Sequence, residues 1–204
     1  MRSRLLTGTK EIAQAFGRWC ERTENIRIVT AWATTDCMAC EFLEKARSKI
    51  STMVVGLDFY TTSPSFLESF LSVIRIGKAP QGGTFHPKLY LFEIADRFGC
   101  VMGSSNFTRG GFGDNAELNI CIEGKESDAF FRQVEVFIEE QEKHSDPITA
   151  PEIAARKWAE SGLAAESEAL ESVGCIRKVF QTRSRGDRSG EFQDRETSRY
   201  CRPG

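Results

Sequence analysis

Phe85-His86-Pro87-Lys88-Leu89-Tyr90-Leu91-Phe92-Glu93 is the stretch from which the rest of the chain is read. Leu, Tyr, Leu and Phe in succession read as a buried strand. Side chains along a strand alternate faces, so His86 and Lys88 point the same way. His86 is one of only two histidines in the chain. A nucleophile or proton carrier thus stands beside a fixed positive charge on a rigid element. Downstream come Gly103-Ser104-Ser105-Asn106 and then Glu117, and the remaining sequence reads as scaffold for this group.

Working outward, 204 residues accommodate a full hydrophobic core with room for an appendage. A formal charge of -2 and a pI near 5.9 argue against a broadly basic nucleic-acid binder, while leaving room for a local basic cleft. The first residues form no apolar signal-peptide core, and no later run is long enough to span a bilayer. The expectation is a cytoplasmic protein with no membrane association. Seven scattered cysteines fit reduced, buried thiols rather than a disulfide framework.

Apolar residues at Ile12, Ala15, Phe16 and Trp19 predict a helix over 9–21. Strands are expected over 26–32, 52–57 and 73–76. Asp36 is a candidate cap for a helix carrying Phe42, Leu43 and Ala46. Pro64 suits the first turn of a short helix through Phe66, Leu67, Phe70 and Leu71. Residues 77–84 read as a Gly/Pro loop. Three strands follow, over 87–94, 99–103 and 116–123. An amphipathic helix over 127–142 then carries Phe130, Phe131, Val134, Phe137 and Ile138. This alternation predicts the α/β class, a mixed β-sheet sandwiched by helices. Pro147 and Pro151 suggest a boundary. The expected domains are 1–146, a helical extension over 147–180, and a polar, disordered tail over 181–204.

A phosphodiester needs positive charge on its anionic oxygens, a nucleophile in line, and an acid for the leaving oxygen. His86 can serve as nucleophile or acid near neutral pH. Lys88 can neutralise the phosphate, with the Ser104 hydroxyl and Asn106 amide on the same oxygens. Glu117 is expected to accept a hydrogen bond from the second ring nitrogen of His86, fixing its tautomer.

His86-x-Lys88, Gly103-Ser104-x-Asn106 and Glu117 resemble one half-site of the phospholipase D superfamily, the His-Lys-Asp motif enzymes. The run from Gly103 to Gly111, with Phe107, Thr108 and Arg109, is similar to the nuclease-type branch. That branch includes restriction-endonuclease subunits and the phospholipase D-like modules attached to helicases. One departure is visible: the motif usually has Asp where this chain has Glu93. By strand parity Glu93 faces away from His86 and Lys88, so the change should bear on local structure. The resemblance implies an α/β/α fold and catalysis by His86, Lys88, Asn106 and Glu117. Phosphate binding would fall to Lys88, Ser104 and Asn106. It also implies a phosphohistidine intermediate, with no metal and no cofactor. One imidazole cannot stand on both sides of phosphorus, and the chain has one motif, so a symmetric homodimer is expected. DNA is the expected substrate, and a helicase or restriction system the expected partner.

Other residues carry plainer readings. Arg109 is either a nucleic-acid contact or a solvated turn residue. Cys37-Met38-Ala39-Cys40 has metal spacing, but no second pair completes it. Trp19, Trp32 and Trp158 read as packing anchors, and His144 as a surface residue. Two other functions compete with DNA hydrolysis. One is a phospholipid-directed phospholipase D or phosphatidyl transferase, which would want an apolar surface helix or anchor that the sequence does not offer. The other is a non-catalytic dimer that holds a phosphate backbone for a larger DNA-processing system.

Overall fold

The computed structural model describes residues 1–155. Its elements are β1 (Arg2–Leu6), α1 (Thr9–Arg22), β2 (Asn25–Thr30), α2 (Met38–Lys45), β3 (Ile50–Val55), α3 (Pro64–Ser69), β4 (Ile74–Ile76), β5 (Lys88–Ile94), β6 (Arg97–Gly103), β7 (Asn119–Lys125), α4 (Ala129–Lys143) and β8 (Asp146–Pro147). The strands form one mixed sheet in the order β1-β7-β6-β5-β2-β3-β4-β8. Strands β2, β3 and β4 pair in parallel, as the intervening helices require, and the other pairs are antiparallel. The α/β class read from the sequence is the class observed.

Helices cover both faces. Ile28, Met53, Tyr90, Phe92 and Val101 point to one side, where they pack with Ile12 and Phe16 of α1, Leu43 of α2 and Leu67 of α3. Val29, Val54, Leu89, Leu91 and Cys100 point to the other, under Phe131, Val134 and Ile138 of α4. The first core is aromatic at its centre. Phe16 meets Tyr90, Phe92, Phe107 and Phe112 at centroid distances of 5.4–5.5 Å. Trp19 stacks on Phe92 at 5.8 Å, over Gly99, where a Cβ would lie 2.2 Å from the indole.

Several expectations are corrected. Strand β2 stops at Thr30 rather than 32. Beyond it the Ala31 N–H donates to the Pro87 carbonyl, while the Trp32 carbonyl accepts from Phe107 N–H at 3.0 Å. This exchange of partners lifts Trp32 out of the sheet. Asp36 is not the cap of α2: Cys37 holds that position without a side-chain bond, and Asp36 accepts from the Thr34 hydroxyl instead. Ser63 does cap α3, with Pro64 in the first turn. Strand β7 begins at Asn119, not 116, so Glu117 lies in the loop before it.

Strand β1 was not foreseen. Its Arg2 and Arg4 are exposed and give no alternation, as suits a charged edge strand. Past Lys143 the chain still serves the core. Asp146–Pro147 pairs with β4, and Ile148 and Ile153 are buried. The rest of the expected 147–180 helical extension and the expected tail lie outside the described residues.

Candidate active site

The site forms where the ends of four interior strands meet at one end of the sheet. Thr30 at the end of β2 pairs with Lys88 at the start of β5, and Gly103 at the end of β6 pairs with Asn119 at the start of β7. His86 and Lys88 share a face, as the alternation requires. The imidazole is exposed, whereas Lys88 is only 8% exposed. The Lys88 ammonium lies 2.8 Å from His86 Nδ1 and 3.0 Å from Nε2, and donates to the His86 carbonyl at 2.9 Å. Trp32 backs both groups. Its ring is 5.6 Å from the ammonium and edge-on to the imidazole at 5.2 Å.

Burial, and then the neighbouring Lys88 charge, hold the His86 ring below its ordinary value. Both causes favour the neutral ring, which has a lone pair to offer. Burial also lowers Lys88, while the Glu117 carboxylate pulls it back up.

The turn after β6 is held from behind. Gly103 lies at φ +156°, and a Cβ there would come 2.4 Å from the Leu118 carbonyl. Only glycine lets the two strands close up at this point. Ser105 points inward and is wholly buried. Its carbonyl accepts from the Tyr90 hydroxyl at 2.8 Å, and Asn119 clamps both its N–H and its hydroxyl. On either side of it Ser104 is exposed and Asn106 half-buried. Among the described residues, only two side-chain polar atoms are buried without a partner: Asn106 Oδ1 and Trp32 Nε1. Both belong to this site. Unpaired buried polar atoms carry a free-energy cost, and they gather where a structure is built to meet something else.

Four of the residues singled out in the sequence, His86, Lys88, Ser104 and Asn106, therefore share one end of the sheet. Glu117 is present, but in another role from the one expected. Its oxygens are taken by the Ser104 hydroxyl and by Asn115 Nδ2, not by His86. It buttresses the serine and biases Lys88 towards its charged form. Arg109 pairs with Asp114 at 3.0 Å in an exposed bridge, which holds the side chain only weakly. Glu93 faces away, as parity required. It bridges Asn25 Nδ2 and Arg27 Nε, both at 2.8 Å, and Arg27 continues to Glu135 of α4.

Sequence reasoning missed Trp32, Tyr90, Ser105 and Asn119. Tyr90 carried a usable signal, since it shares the parity of His86 and Lys88. Cys37 and Cys40 are buried, and burial pushes their thiols up to about 11 and about 12, so they are packing residues. Among the described residues no three His, Cys, Asp or Glu side chains converge as metal ligands.

On the α4 side, next to His86 and Lys88, opens an apolar trough of about 570 Å³. Leu89, Met102, Ile120, Phe130 and Phe137 line it.

Residues 5–140 match the family model described as "Cardiolipin synthase, PLD-like domain". No curated protein matches the chain. Among solved structures, Nuc from Salmonella typhimurium, described as a phospholipase D family member, is similar over 73% of this chain and 100% of its own. Its TM-score is 0.57 and its identity 13%. NucT from Helicobacter pylori is similar over 72% of this chain and 99% of its own, with a TM-score of 0.55 and 10% identity. Phosphatidylserine synthase from Haemophilus influenzae is similar over 82% of this chain and 46% of its own, with a TM-score of 0.57 and 14% identity. At such identities the likeness is one of fold.

Proposed function

The chain belongs to the phospholipase D superfamily, and from that premise we propose that it hydrolyses phosphodiester bonds in nucleic acid, most readily DNA, through a covalent histidine intermediate. One observation carries the reading: a buried lysine ammonium 2.8 Å from an exposed imidazole, on a strand whose neighbour leads into the Ser104–Asn106 turn. The lysine and the turn gather the anionic oxygens. The lone pair of His86 then attacks phosphorus, the P–O bond to the leaving alcohol breaks, and that oxygen takes a proton. Water next attacks the phosphohistidine and releases the ring.

The proton donor must stand opposite the attacking ring. The other histidine, His144, is the C-cap of α4 beside the edge strand β8, with its ring nitrogen at the Glu140 carbonyl. We assign the donor to His86 of a second copy in a homodimer, in its protonated form; having given up that proton it takes one from the water in the second step. Glu117 acts through Ser104 and Lys88. Helicase or restriction-system recruitment is part of the same proposal. So is a cytoplasmic site; no helix among the described residues is long and apolar enough to cross a membrane.

The test is cleavage of single- and double-stranded DNA and RNA in excess EDTA. Turnover is expected to persist and to fall at least about 1,000-fold in His86→Ala. Lys88→Ala is expected to fall about 100-fold. Loss of turnover in EDTA that Mg²⁺ restores, or an undiminished His86→Ala rate, overturns the proposal.

A second reading, transfer of a phosphatidyl group, is favoured by the apolar trough whose rim includes His86 and Lys88. Headgroup release from phospholipid vesicles with no cleavage of any nucleic acid would replace the first reading with this one.

A further inference from the structure

Phe59 is an aromatic side chain left 72% exposed. It sits at φ +61°, ψ +19°, in the left-handed region that non-glycine residues rarely occupy. Strain of this kind persists only where surrounding bonds enforce it. Here they are present on both sides. Before Phe59, Asp58 accepts from the Phe85 N–H at 2.9 Å, which ties the turn to the residue next to His86. After it, Thr62 Oγ1 accepts from the Ala33 N–H at 3.3 Å, and the Ala33 carbonyl accepts from the Ser63 N–H at 2.9 Å. Ala33 follows Trp32 directly. The turn that carries Phe59 is therefore pinned to the two segments that build the site.

The rings continue this connection. Phe59 meets Trp32 edge-on at 6.2 Å, and Trp32 in turn meets His86 at 5.2 Å and underlies the Lys88 ammonium. An exposed ring one aromatic contact from the imidazole adds nothing to the core. It is placed to meet a flat group attached to the phosphate that Lys88 holds.

We propose that Phe59, backed by Trp32, is a stacking shelf for an unpaired nucleobase flanking the scissile phosphate, so that the site takes single-stranded nucleic acid. The inference rests on the phosphate-binding reading given above and extends it to the substrate's bases. A base within a duplex has both faces covered by its neighbours and cannot lie on such a shelf, whereas an unpaired base can.

Binding tests this without requiring turnover. The full chain carrying His86→Ala would be titrated with a fluorescent single-stranded oligonucleotide, and with an abasic strand of the same number of phosphates. The base-bearing strand is expected to bind more tightly. Adding Phe59→Ala is expected to collapse that preference by about 5- to 100-fold. Phe59→Tyr keeps a ring and should retain the preference; Phe59→Leu keeps only the apolar bulk and should lose most of it. The exposure of Phe59 keeps these substitutions clear of the core, and unchanged thermal midpoints would verify that.

An unchanged preference in Phe59→Ala, full retention in Phe59→Leu, or no preference at the outset overturns the shelf. So does Phe59-dependent binding to anionic phospholipid vesicles with no binding of the strand. If Phe59 governs strand binding while the wild-type chain cuts nothing, the shelf stands and the hydrolysis reading falls.

Discussion

Partial burial of the ring makes protonation of His86 unfavourable, and an ammonium 2.8 Å from a ring nitrogen adds to this. The sign follows directly. The attacking imidazole must be neutral and the partner's must carry the leaving-group proton, so kcat/KM should pass through a maximum, its rising limb centred below the ordinary value of 6.5. Lys88→Met should lower the rate throughout and move that midpoint part of the way back up. The return is partial because burial, the larger cause, remains. A pH–rate profile of the two proteins checks both statements; a wild-type rising limb centred above 6.5 contradicts the first. At this scale the sequence was readable for His86 and Lys88, because strand parity alone puts them on one face. It was not readable for Glu117. Its partners depend on where β7 begins, and Leu118 and Asn119 determine that through bonds to the turn after β6.

Strand β5 divides its work by parity. On one face Lys88 reaches the site, and Tyr90, two residues on, props the turn that carries Ser104 and Asn106. Tyr90→Phe removes the hydroxyl and leaves the buried Ser105 carbonyl short of a partner. It should cost about 1–3 kcal/mol in a denaturant titration, and lower kcat by loosening the turn. On the other face Glu93 joins Asn25 to Arg27. Glu93→Asp installs the residue usual in the motif but shortens the reach by one methylene. The expected outcome is a loss of about 0.5–1.5 kcal/mol of stability with activity per folded molecule unchanged. A gain of activity would place Glu93 in the chemistry after all.

Elements with a regular apolar period, α1 and α4 among them, were legible from the sequence. Those fixed by pairing were not. Strand β1 is polar and exists because β7 offers it an edge, and β2 ends early because Pro87 and Phe107 claim its last backbone groups. Trp32 escaped notice as a site residue for that reason: within a strand over 26–32 it would have been one more packing residue.

For the whole molecule, the order of strands brings together residues far apart in the chain: Trp32, His86, Asn106 and Glu117 come from four different strand ends. The motifs announced that gathering, and the fold accounts for it. The second imidazole belongs to the next scale up. If each active site uses two copies of His86, excess His86→Ala chain exchanged into a fixed amount of wild type should suppress its activity. A chain that works alone would be unaffected. Mixing the two under conditions that let subunits exchange, and assaying cleavage, distinguishes these cases.

The central claim is that His86 forms a bond to phosphorus. Attack by the ring followed by attack by water inverts phosphorus twice, whereas direct attack by water inverts it once. The measurement is the stereochemical course of cleavage of an oligonucleotide carrying a single chiral phosphorothioate, in isotopically labelled water. The account predicts net retention of configuration at phosphorus; inversion would contradict it.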